Sequence, residues 1–148
     1  MAGYAGPKGA RTGAFRSGLE DRNATHMDKL GVSFDFEMYH IKYLVPAREA
    51  KYTPDFVLFN GVIVETKGIW EVDDRKKHLL IREQYPELDI RLVFSNSKSK
   101  IYKGSPTSYA DFCQKHGIMF ADKLIPRSWL QEKCKEIPKG VLHPKGGK

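Results

Sequence analysis

Apolar positions in this 148-residue chain fall into short runs whose spacing switches between helical and alternating. Ser17-Gly18-Leu19-Glu20 is a capping-box pattern, with Glu20 three residues after the serine, and predicts a helix start. Leu19, Ala24, Met27 and Leu30 form the inner face of that helix, and Gly31 is placed to end it. Val32-Ser33-Phe34-Asp35-Phe36-Glu37-Met38 alternates apolar and polar residues, the mark of a half-buried strand. Residues 41–51 are less regular and contain Pro46, which leaves a further strand or a linker open. Two apolar runs then flank Asn60-Gly61, a hairpin signal. A second helix is expected from Asp73 or Asp74 to about Tyr85, where Pro86 stops it, followed by a strand over 88–94. Beyond a serine- and lysine-rich loop, a helix opens near Pro106 and runs to Gly117, and a last helical turn is expected near 126–131. The order α-β-β-β-α-β-α predicts an α/β domain, a mixed central β-sheet flanked by helices.

The hairpin carries the chemistry. It reads Thr53-Pro54-Asp55-Phe56 before the turn and Val64-Glu65-Thr66-Lys67-Gly68 after it. Burying a charge costs several kcal/mol, so acids and a lysine on an apolar hairpin call for a compensating partner, such as a divalent metal on a phosphate. Side chains alternate along a strand, so Glu65 and Lys67 share one face and Thr66 points to the other. A two-residue loop would pair Asp55 with Thr66, whereas the three-residue loop Phe59-Asn60-Gly61 pairs Asp55 with Glu65. That loop wants glycine at its third, left-handed position, where Gly61 stands. A three-residue loop with a bulge is therefore expected. Asp55 and Glu65 then offer hard oxygen ligands suited to Mg²⁺ or Mn²⁺, and the Thr66 carbonyl is near enough to add another. Lys67 would orient the attacking water or stabilise the transition state. A second ion would need more carboxylate, for which Glu20 is a candidate, although its place in the capping box is a sufficient structural role.

Charge sharpens the picture. The chain carries +7, with +3 in residues 1–16, +4 in 133–148 and a balanced middle. Both ends are rich in glycine and proline and should be disordered in isolation. The expected organisation is a basic arm over 1–16, a nuclease domain over 17–132 and a basic tail over 133–148. Two basic arms on a neutral core suit a polyanion. Lys8, Arg11 and Arg16 in the first arm, with Arg75, Lys76, Lys77 and Arg82 after the hairpin, are the candidate backbone-gripping cations. No apolar run approaches the roughly 20 residues of a membrane span, and the start lacks a signal-peptide core, so a cytoplasmic protein is expected. Cys113 and Cys134 lack metal-ligand spacing; free thiols are favoured, with a disulfide left open.

With these residues in view, the chain resembles endonuclease I of short-tailed coliphages, a junction-resolving family. It belongs to the nuclease superfamily named for its Pro-Asp…(Asp/Glu)-x-Lys motif. Gly13-Ala14-Phe15-Arg16-Ser17-Gly18-Leu19-Glu20, Tyr52-Thr53-Pro54-Asp55-Phe56, Val64-Glu65-Thr66-Lys67-Gly68, the stretch 73–84 and Tyr102-Lys103-Gly104-Ser105-Pro106-Thr107-Ser108-Tyr109 carry the resemblance. It implies a restriction-endonuclease-like core in an intertwined, domain-swapped homodimer. Its two composite sites would each join Glu20 of one subunit to Asp55, Glu65 and Lys67 of the other. The expected cofactor is Mg²⁺, with Mn²⁺ able to substitute and two ions per site, and no small-molecule cofactor is expected. The implied substrates are four-way (Holliday) junctions and other branched DNA, cut symmetrically, with an N-terminal arm that contacts the junction. The implied setting is phage replication and host DNA breakdown. The exchange link is expected in residues 41–51. Two rivals stand beside this reading: a sequence-specific restriction-type endonuclease, and an architectural DNA-binding protein whose acids are structural.

Overall fold

The computed structural model describes residues 18–46 and 48–144. Lys8, Arg11, Arg16 and Ser17 lie outside the described residues, so the expectations placed on them do too.

Helix α1 (Gly18–Lys29) buries Leu19, Ala24 and Met27 along one stripe, together with Glu20 and Asn23. Gly31 adopts the left-handed conformation just past its end, as the glycine there implied. Strand β1 (Phe34–Phe36) follows, and Phe34 and Phe36 are buried while Asp35 is not fully so. Residues 39–52, ambiguous in the sequence, form an antiparallel hairpin of β2 (Tyr39–Val45) and β3 (Arg48–Tyr52), closed where Val45 pairs with Arg48. Pro46 sits in its turn, where a missing N–H costs no ladder bond.

Strands β4 (Phe56–Leu58) and β5 (Ile63–Lys67) make the motif hairpin, and helix α2 (Val72–Gln84) comes next. The cap of α2 is Glu71 paired with Asp74, so the helix starts a residue before the expected acids. Strand β6 (Ile90–Phe94) is buried at all five positions. Helix α3 (Tyr109–His116) begins later than Pro106, because Ser108 and Asp111 form its capping box, and it ends at left-handed Gly117. Strand β7 (Phe120–Asp122), helix α4 (Arg127–Leu130) and β8 (His143–Pro144) complete the described chain.

The main sheet has the order β1-β4-β5-β6-β7, antiparallel across the first three strands and parallel across the last three. It is the mixed, helix-flanked sheet that the element order predicted. Alternation sorts the hairpin onto two cores. Phe56, Leu58, Val62 and Val64 pack with Ala24 and Met27 of α1 and with Trp129 and Leu130 of α4. On the other face Ile63 packs with Ile81, Ile90, Ile41 and Tyr52.

The expectation of a disordered second arm does not hold over 133–144. Val141 is buried in the second core with Ile137 and Leu142 against it, and β8 pairs with β2. Asn60 and Gly61 seat this strand of chain. The Asn60 carbonyl accepts the Lys135 N–H at 2.9 Å, and Asn60 Nδ2 donates to the Trp129 carbonyl at 2.8 Å. Apolar residues scattered among lysines gave too little periodicity to signal this docking.

Candidate active site

The turn of the motif hairpin is the three-residue loop expected. Leu58 N–H donates to the Val62 carbonyl and Gly61 N–H to the Leu58 carbonyl, both at 2.9 Å, so one residue opposes two. Gly61 has φ +87°, and a methyl group there would run into the Lys135 carbonyl. Phe56 pairs with Val64 and Val57 with Ile63, a register that brings Asp55 level with Glu65.

The two carboxylates nevertheless serve different neighbours. Asp55 precedes the first residue of β4 and is not held to the pleat. Its Oδ2 accepts the Thr66 N–H at 2.9 Å and the Thr66 hydroxyl at 2.8 Å. Glu65 Oε1 instead accepts the Tyr52 hydroxyl at 3.0 Å and the Asp55 N–H at 3.3 Å. Among the described residues, one group could offer three carboxylate oxygens to an ion. It consists of Glu20, Glu37 and Asp55, whose ligand atoms lie within 4.8 Å of one another. Glu65 stands beside that group, its Oε1 on the Asp55 N–H, and Glu37 joins the expected ligands Asp55 and Glu20. Glu37 was missed by sequence reasoning; its only signal is the polar position that ends the alternating stretch. It has φ +50° and its N–H donates to the Asp55 carbonyl at 2.9 Å, so a bend after β1 turns it toward Asp55.

Electrostatics bind the group together. Burial pushes the Asp55 carboxyl up to about 7; the Thr66 hydrogen bonds oppose the rise, and the Glu20 and Glu37 charges add to it. Burial, then the Asp55 charge, raises Glu65 well above the ordinary range, with Lys67 and Lys77 pulling the other way. Asp55 and Glu65 resist ionising together, a cost that a hard divalent cation would relieve, and with the Glu20 and Glu37 oxygens beside Asp55 the residues fit Mg²⁺ or Mn²⁺.

Lys67 leaves β5 with its ammonium 3.4 Å from Asp74 in the first turn of α2. Asp74 also stands 3.9 Å from Lys77, whose ammonium lies over the Tyr52 ring at 5.4 Å. The other candidate cations separate. Lys76 is exposed and Lys77 half-buried. Arg75 is buried and donates to the Trp70 and Ile101 carbonyls, and Arg82 donates to the Ile90 carbonyl. Cys113 is buried and Cys134 exposed, and both are unbridged. No helix among the described residues is long and apolar enough to cross a membrane.

Comparison with known proteins follows the same lines. Residues 1–148 match the phage endonuclease I family. Endonuclease I of Escherichia phage T7 is 62% identical over 149 residues, covering 100% of this chain and 99% of that protein. Endodeoxyribonuclease 1 of Enterobacteria phage T3 is 56% identical over 147 residues, covering 99% and 97%.

Proposed function

The chain belongs to the phage endonuclease I family, and from that premise we propose that this endodeoxyribonuclease is metal-dependent and selective for four-way junctions and other branched DNA. The observation that supports metal dependence is the group of buried Glu20 and Asp55 with half-buried Glu37, beside Glu65 and Lys67. Those carboxylates would hold Mg²⁺ or Mn²⁺, and such a cation supplies acidification of a water and neutralisation of charge building on the phosphate. The protein's own groups do the rest. Thr66 fixes one Asp55 oxygen through two hydrogen bonds, which leaves the other for the cation. Tyr52 fixes Glu65 in the same manner. Lys67, steadied by Asp74, places an ammonium where a scissile phosphate gathers charge as water adds to phosphorus and the bond to the leaving sugar oxygen breaks. Exposed Lys76 and half-buried Lys77 extend the basic surface away from that point, and Lys8, Arg11 and Arg16 add the arm.

Paired, opposed cuts suit a two-fold assembly, and the assembly proposed is the swapped homodimer that the family resemblance implies. Only two residues separate paired Val45 and Arg48, and a short hinge favours exchange, so this connection is the natural opening point. In the single chain Glu20 already stands by Asp55; opening that turn would let a second chain make the same contact.

The test is cleavage of a four-way junction and of linear duplexes of matched sequence, with and without Mg²⁺. Junction cutting that needs the metal and disappears in Asp55→Asn and Lys67→Ala, while binding persists, is the expected result. Cutting confined to one sequence in unbranched DNA would sink branch selectivity.

A further inference from the structure

Strands β5 and β6 are parallel, so the segments that follow Lys67 and Phe94 emerge side by side at the carboxyl end of the sheet, where α/β proteins place ligands. There an open cleft of about 750 Å³ lies between the segment after Lys67 and the loop before α3. One wall presents Ile69 and Val72, 73% and 51% exposed, and the other presents Tyr102, 63% exposed. Three large apolar side chains left in water around one cleft mark a surface meant to be covered. Lys100 and Lys103, both exposed, share the tyrosine's wall. The acid on the rim, Glu71, is engaged in capping α2.

The walls are fixed in advance. Buried Arg75 donates to the Trp70 carbonyl at 2.7 Å and to the Ile101 carbonyl at 3.2 Å, joining the two sides. The Trp70 N–H donates to the Tyr109 hydroxyl at 3.0 Å, and Lys100 bridges to Ser108 at the base of the loop. Tyr102 is therefore held out by a braced loop. A preformed aromatic surface binds with little ordering cost.

We propose that this cleft receives an unstacked nucleobase of the DNA substrate, from the nucleotide beside the scissile phosphate at Lys67. Tyr102 stacks on the base, and Lys100 and Lys103 hold the adjoining phosphates. An aromatic ring flanked by lysines is the chemistry of sequence-tolerant single-strand binding. Ile69 is two residues beyond Lys67, so at most about 7 Å of backbone separates the cleft wall from the catalytic strand. Unstacking costs least where pairing is already interrupted, so the cleft favours DNA near a branch. The inference rests on the reading of Lys67 as the phosphate-side residue of a DNA-cutting site.

The experiment uses the full chain without divalent metal. Binding is measured to a short oligo-dT strand, to an intact duplex, and to a four-way junction carrying 5-iodouracil beside the exchange point. Tyr102→Ala should weaken oligo-dT and junction binding on the order of tenfold, with Tyr102→Phe and all duplex affinities within about twofold of wild type. Irradiation should couple the iodouracil to the peptide that contains Tyr102. Unchanged oligo-dT binding by Tyr102→Ala, or coupling only to other peptides, overturns the proposal. Equal wild-type affinity for junction and duplex would instead defeat branch selectivity, leaving the oligo-dT comparison to judge the cleft alone.

Discussion

At the scale of single residues, burial moves acids and bases in opposite directions. Asp55 is raised to about 7, so in the metal-free protein its charge opposes folding at neutral pH; that cost appears as pH rises from the ordinary carboxyl range through 7. Asp55→Asn keeps an acceptor for Thr66 and removes the charge. It should stabilise the metal-free protein at pH 7.5 by roughly 1–3 kcal/mol while abolishing cleavage, as urea unfolding and a nicking assay would show. Added Mg²⁺ should raise the melting temperature of wild type and leave the variant unmoved. His78 has the opposite sign. It is fully buried between Tyr52 and Trp70, and burial lowers it to about 3, ahead of the charges of Lys77, Arg82 and Lys67. The unfolded imidazole takes a proton near 6.5 that the folded one refuses, so stability is full above that value and falls as pH drops toward 3. Between pH 7 and 5 the loss is about 2 kcal/mol. Unfolding titrations of His78→Gln should lack that increment; an unchanged slope would mean that the ring is not held neutral.

At the scale of elements, the motif hairpin and the C-terminal strand of chain are one construction. Gly61 meets two demands, a left-handed φ and close passage of the Lys135 backbone. Gly61→Ala should cost at least about 2 kcal/mol in unfolding free energy, more than turn strain alone, with the loss of β8 docking visible as faster amide exchange over 135–144. The Asp89–Arg91–Glu132 ion pairs lie beside this seam and hold the same segment. The loop length was legible in the sequence because Asn-Gly chemistry and alternation both speak locally. The docked tail was not, because its anchors are contacts with residues forty or more positions earlier.

At the scale of the molecule, the question is which chain completes each site. Asn23 ties α1 to the far end of the chain, donating to the Lys123 carbonyl at 2.9 Å and accepting the Ile125 N–H at 2.7 Å. Exchange at the turn after Val45 would carry α1, and with it Glu20, to a partner while preserving every such contact. Glu20→Gln and Lys67→Ala should each be inactive alone and regain nicking when co-refolded, because one of the two composite sites in the proposed swapped dimer would keep both residues. The product should be single nicks rather than paired cuts. No recovery would place each site within one chain.

Local pattern determined much of this protein. The apolar spacing and glycine signals marked α1 and the turn of the motif hairpin, and the spacing of Asp55, Glu65 and Lys67 suggested a phosphate-cutting edge. Register followed from turn chemistry, a matter of neighbouring residues. Tertiary structure decided what local pattern leaves free. It turned residues 41–51 into a hairpin, drew Glu37 to Asp55 and set Glu65 with Tyr52. It also buried Arg75 as a brace where the sequence suggested a DNA grip. Each of these depends on which distant surfaces meet, and a short side chain at a strand end, unlike one within the pleat, goes where its hydrogen-bond donors are.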